Sequence, residues 1–186
     1  MSNESLSIGP ARFMRTVAIG LAVTVGLILA VGASRGHGPA AVLSGFMHLQ
    51  GGRLHAPHFG LLAAAPIQIQ IHVAAVTIAL LVGITLMLGL KGTTVHRVLG
   101  WTWVIAMATA AISSLFIHRS NPNGFSFLHL FAGWTLIALP MGVFAARKHK
   151  VRMHGRTMTG LFVGGLLIAG AFAFLPGRLM WQIAFG

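Results

Sequence analysis

Five apolar stretches, each close to the length that crosses a hydrocarbon core, dominate the chain, with short basic segments between the last four and a longer connection, residues 34–65, after the first. They cover roughly residues 16–33, 66–90, 95–117, 125–146 and 154–175. Inside lipid a backbone must satisfy its own N–H and C=O groups, so stretches of this kind are helices. The expected fold is an all-α membrane protein with five transmembrane helices, the last four forming a four-helix bundle. Residues 1–65 then hold an N-terminal anchor helix and an outer loop, and residues 66–186 the four-helix transmembrane core. Composition agrees. Hydrophobic residues make up 56% and charged residues 8%, against about a quarter charged in soluble domains. A soluble monomer is excluded.

Local signals set the helix ends. Pro66 suits a first-turn position of the second span. Thr93 or Thr94 can cap the third. Pro140 is a place for a kink in the fourth, and Pro176-Gly177 ends the fifth. The first span follows Arg12 and Arg15 in the manner of a signal sequence, but no small-residue cleavage site follows its apolar core, so it is expected to stay as an anchor.

Charge fixes the topology and removes whole classes of chemistry. With the N-terminus inside, the inner segments carry Arg12, Arg15, Lys91, Arg97, Arg147, Lys148, Lys150, Arg152 and Arg156. The outer ones carry Arg35, Arg53, Arg119 and Arg178. This bias places the N-terminus inside and the C-terminus outside a bacterial inner (cytoplasmic) membrane. The formal charge of +12 does not imply nucleic acid, because the cations lie in short clusters between spans. Anionic lipid headgroups are the expected partner. The one acidic residue is Glu4, outside every span, which excludes paired-carboxylate catalysis, a Ser-His-Asp triad and an Asp/Glu proton relay. Cysteine and tyrosine are absent, so there is no thiolate metal site and no covalent c-type haem.

Ten histidines remain, with nine methionines, four tryptophans and some hydroxyls. Four histidines stand near the N-terminal ends of spans two to five: His72, His96, His129 and His154. Successive spans alternate in direction, so His72 and His129 fall near the outer face, His96 and His154 near the inner face. Two pairs of this kind suit two bis-histidine haem b centres, or one. Gly100 and Gly133 follow His96 and His129 by four residues, on the same helix face, where they leave room for a flat macrocycle. Arg97 and Arg156 on the inner side and Arg119 on the outer side can pair with propionates. Counted along the second span, 18 residues separate His72 from Leu90, about 27 Å of rise. That is long for two centres exchanging electrons.

Other readings stay open. Each histidine can be a simple interface residue. His72, His118 and His129 could together hold copper or zinc at the outer face, with His55 and His58 nearby in the loop. His149 lies in a basic loop and is expected to be solvated. Segment 40–49 is apolar enough to lie as an interfacial helix. Ser113 and Ser114 are expected to bond back to the preceding turn. Trp101, Trp103, Trp134 and Trp181 read as interface anchors. The Gly160–Gly164 spacing allows close helix approach, within the bundle or between protomers. The functional expectation is an integral membrane haem b protein that carries electrons across or along the membrane, with quinone or a partner redox protein. The alternative is a cofactor-free accessory subunit of a larger membrane complex, with a membrane-protein partner or in a homo-oligomer.

Over residues 68–180 the chain resembles a family of predicted bacterial membrane proteins known only as a domain of unknown function. The resemblance is carried by Ile71-His72, Lys91-Gly92-Thr93 with His96-Arg97 and Gly100, and Ser113-Ser114 with Phe116-Ile117. It continues through Phe125-Ser126 with His129-Leu130, His154 with Met158, Ala169-Gly170-Ala171-Phe172 and Pro176-Gly177-Arg178. It implies the membrane architecture and no activity. The histidine layout also looks like that of di-haem transmembrane cytochromes b, in which alternate helices pair to hold one haem per side. The matching pairs here would be His72 with His129 and His96 with His154. That likeness is one of layout.

Overall fold

The computed structural model describes residues 59–117, 127–174 and 178–185, together with residues 14–15, 18–19, 22 and 25–26. The last few, within and just before the first expected span, are helical and exposed. The rest of that span, segment 40–49, His55, His58, His118 and Arg119 lie outside the described residues.

Among the described residues the regular structure is all helical, with no strand. In chain order the helices are α1 (Phe59–Ala63), α2 (Ile67–Leu88), α3 (Thr94–Leu115), α4 (Phe127–Arg147) and α5 (Val151–Gly160). A stretch of wider π-type turns (Leu161–Ile168) continues α5, and α6 (Ala169–Ala173) and α7 (Leu179–Phe185) follow. Four helices are long and apolar enough to cross a membrane: α2, α3, His129–Arg147 of α4, and the continuous run Val151–Ala173. They match the second to fifth expected spans within a few residues. Pro66 stands just before α2 at its N-cap, not inside the first turn.

The spans α2, α3 and α4 expose stripes of large apolar residues and bury several small ones, whereas the fifth span buries mostly large ones, among them Leu161, Phe162 and Leu166. On α4 the exposed stripe is Leu130, Trp134, Ile137, Met141 and Phe144, a helical repeat. On α2, Ala75, Ala79 and Gly83 are buried at four-residue spacing. Lipid tails are as apolar as leucine, so burial of large side chains brings little gain over lipid. Small residues that let backbones approach define the contacts instead. α2 packs on α3, α3 on α4, and α4 on α5 and its π-type continuation, which returns to α2. The four spans thus close a ring in which α2 faces α4 diagonally and α3 faces α5.

The middle of the ring is filled by apolar side chains. Trp103, Met107, Leu139, Leu161, Phe162 and Leu166 are buried there. Trp103 corrects the expectation of an interface anchor. It is 3% exposed, because it shares the inward face of α3 with Ala106, Met107 and Ala110. Trp101 and Trp134 are exposed. Gly83 makes the space: a Cβ there would lie 2.6 Å from the Phe162 ring and 2.8 Å from Trp103 Nε1. Within the bundle Gly160 and Gly164 are not close-approach positions, since neither has anything within 4 Å of a built Cβ. Gly165 is the close-approach position, with Thr135 Oγ1 at 3.1 Å and Met107 Cε at 3.5 Å.

Two short turns set the helix register at one end. After α2, Lys91 Nζ donates to the carbonyls of Leu86, Met87 and Gly89, each at 2.8 Å. Lys91 therefore caps the negative end of the helix. Gly92 follows with φ +79°, a conformation that costs glycine little. Thr93 then caps α3 by accepting from the His96 N–H at 3.0 Å. Between α4 and α5, His149 takes φ 54°. The Lys150 N–H reaches Ala145 O at 2.9 Å and the His149 N–H reaches Ala146 O at 3.0 Å, which is a Schellman closure with histidine where glycine is usual.

Candidate functional site

The capping turn Lys91-Gly92-Thr93 starts α3 so that His96 lies in its first turn. The Schellman turn does the same for α5 and His154. The two helices are diagonal in the ring, yet the His96 and His154 rings approach to 6.4 Å between centroids, with planes at 87°. Two imidazoles on opposite sides of one metal, at about 2.1 Å per bond, would stand about 6.5 Å apart centroid to centroid, and a tetrahedral pair about 5.3 Å. The observed separation matches the opposed arrangement and not the tetrahedral one. Both rings are half-buried.

His154 Nδ1 is 2.9 Å from Gly142 O on α4. A carbonyl can only accept, so Nδ1 carries the proton and the neutral ring keeps its lone pair on Nε2. A histidine held this way by a backbone carbonyl has the tautomer and orientation of a metal ligand. The same device recurs at the other end. His72 Nδ1 lies 2.9 Å from Ala110 O and 3.2 Å from Ser113 Oγ on α3. Ser113 Oγ also donates to Ala110 O at 3.1 Å. The expected back-bond is present, and the hydroxyl serves His72 as well. The spacing of 38 residues between His72 and Ala110 hid that contact in the sequence. Ser114 bonds back to Ala111 O at 2.8 Å.

His129, on α4, is the most buried of the four at 9% exposure. Its depth follows from register. His96, His154 and Gly142 share one level. From it, Ala110 is 14 residues along α3 and His129 is 13 residues along α4, about 21 and 20 Å of rise. His72, tied to Ala110, and His129 therefore lie at matching depth on diagonal helices. The two levels are about 20 Å apart, less than the 27 Å counted along α2 alone, because each histidine sits inside its helix and not at its tip.

Gly100 and Gly133 are half-buried, yet a Cβ built on either meets nothing within 4 Å. Each is an open notch one turn inward from a histidine. Met158, four residues after His154, packs against Gly142, so the glycine pattern serves one helix of each pair. Arg97 is exposed beside the His96 level. Arg156 is exposed too, about 200° round α5 from His154. It lines a cleft with Lys150, Val151, Arg152, Met153 and Thr157. Partial burial lowers the pKa of Lys91 from the ordinary lysine value, while the three carbonyls it donates to act the other way.

Among the described residues, no three His, Cys, Asp or Glu side chains converge to hold a metal ion. A copper or zinc trio of His72, His118 and His129 would need His118, outside the described residues. His149 is exposed, as expected.

Residues 69–181, more than half of the chain, match a family described as Predicted membrane protein (DUF2306). The chain belongs to DUF2306, a membrane protein family of unknown function. His72, His96, His129 and His154 all lie within the matched stretch, as do the Lys91-Gly92-Thr93 turn and the open glycines of the DUF2306 region. No curated protein and no solved structure matches the chain.

Proposed function

We propose that the protein is an integral membrane haem b protein that carries electrons across or along the membrane, exchanging them with a quinone or a partner redox protein. The observation that carries this reading is the His96–His154 pair. Its rings stand 6.4 Å apart on diagonal helices, with His154 Nδ1 tied to a helix carbonyl. His72 and His129 would serve in the same way at the other level. Haem b would supply one-electron chemistry without a proton relay, in keeping with spans that hold no carboxylate. In this reading the chain's residues orient ligands, with Gly142 O and Ala110 O fixing ring tautomers and Ser113 holding His72. Gly100 and Gly133 leave space for the macrocycle, and Arg97 pairs with a propionate. The excess of Lys and Arg at the His96–His154 end supports the reading that this end faces the cytoplasmic side of a bacterial inner membrane.

A reduced-minus-oxidised optical spectrum of the purified full chain tests the proposal. A Soret band and b-type visible bands are expected. His154→Ala should remove the centre at one end and His129→Ala the centre at the other, each leaving about half the absorbance. A protein without haem absorbance, purified from haem-replete cells, overturns the reading. Such a protein with a stoichiometric membrane partner would instead be an accessory subunit.

A further inference from the structure

We propose that the cleft at the start of α5 is a headgroup site for an anionic phospholipid. The cleft holds about 580 Å³ and is lined by Lys150, Val151, Arg152, Met153, Arg156 and Thr157. Three of these six side chains are cationic. The chain's single acidic residue is Glu4, at the far N-terminal end of the sequence. Among the described residues no carboxylate side chain accompanies these cations, so the cleft presents a cationic surface suited to an anion. Phosphate is the anion whose oxygens match guanidinium forks.

The lining also says which phosphate. Val151 and Met153 are 52% and 44% exposed, so apolar surface lies beside the cations. Arg147 and Lys148 precede the cleft at the end of α4, where the span meets the headgroup layer. A free phosphate would gain nothing from the apolar wall, whereas a lipid sets its glycerol backbone and first methylenes against it. This assignment does not depend on any cofactor.

The test uses the full chain in nanodiscs of zwitterionic phosphatidylcholine, titrated with phosphatidylglycerol. The readouts are thermal unfolding and lipid retention by native mass spectrometry. Each cation facing a headgroup is expected to contribute about fivefold in affinity. Arg152→Gln with Arg156→Gln should therefore weaken phosphatidylglycerol retention roughly 25-fold. Arg147→Gln with Lys148→Gln removes the same charge outside the cleft and should change it less than threefold. Arg152→Lys with Arg156→Lys, which keeps the charge, should retain most of the binding and controls for folding. Equal weakening by the two Gln pairs overturns the proposal in favour of diffuse surface charge. Equal protection by inorganic phosphate makes the cleft a free-anion site, and no response to phosphatidylglycerol overturns it outright.

Discussion

Replacing Gly100 by alanine should have opposite effects on the bare protein and on a protein with a macrocycle against α3. A Cβ at position 100 meets no neighbouring atom of the described residues within 4 Å, so their packing offers no penalty. Alanine is better than glycine inside a helix by about 1 kcal/mol. For a chain of this size that raises the unfolding midpoint by roughly 2–4 °C. If a haem face lies against the notch next to His96, the added methyl is overpacking, at about 1–3 kcal/mol. That weakens cofactor retention about 5- to 150-fold. Gly133→Ala tests the other end in the same way, one turn from His129. Gly160→Ala is the control, being equally open but exposed and about 240° round α5 from His154. The assay is the haem absorbance per protein after gel filtration, beside the melting curve. Gly100→Ala and Gly133→Ala should each lose about half the absorbance, while Gly160→Ala keeps all of it and melts slightly higher. If both notch variants keep full absorbance and melt higher, the glycines face lipid or empty space, and the argument that they seat a macrocycle is refuted.

Three further predictions concern the scaffold. Gly83→Ala should destabilise by about 1–2 kcal/mol after the helix-propensity gain, because its Cβ would meet two buried rings; thermal unfolding in detergent checks this, with partial rescue by Phe162→Leu. His149→Gly should stabilise by about 0.5–1 kcal/mol, since it relieves a left-handed residue at 1–2 kcal/mol while freeing the unfolded chain by somewhat less; the same melting assay reads it. Lys91→Met should cost about 1 kcal/mol and fray the end of α2, seen as faster amide exchange at Gly89, whose N–H bonds Thr85 O at 2.8 Å.

The spans and their ends were legible because each rests on local chemistry. Apolar length alone marked α2 to α5, and Thr93 announced its cap by residue type. What the sequence concealed was rotation. Trp101 and Trp103 read alike as interface anchors, yet only the second shares the inward face of α3. The glycines of the fifth span looked like a Gly160–Gly164 contact, but the π-type turns over Leu161–Ile168 shift the phase of that helix and bring Gly165 against Thr135. The pairing of His72 with Ala110 and Ser113 was out of reach for the same reason. Helix spacing predicts partners on one helix, while this contact depends on how two helices are turned against each other.

The filling of the ring bears on what can pass between the two histidine levels. Over the roughly 20 Å separating them, the described core is Ala79, Trp103, Met107, Leu139, Leu161 and Phe162. Trp103 Nε1, the polar group at its centre, is buried without a hydrogen-bond partner among the described residues. An ion or proton needs water or a chain of titratable groups to cross such a layer, and no carboxylate lies in the described spans. An electron needs neither, because it tunnels through packed side chains. A conducting path for ions would also be widened by shrinking the plug, whereas an electron path would be little changed. Trp103→Leu therefore separates the two. Ion flux through liposomes carrying this variant would speak for a transport pathway, and an ion-tight membrane with unaltered histidine spectra for the redox reading.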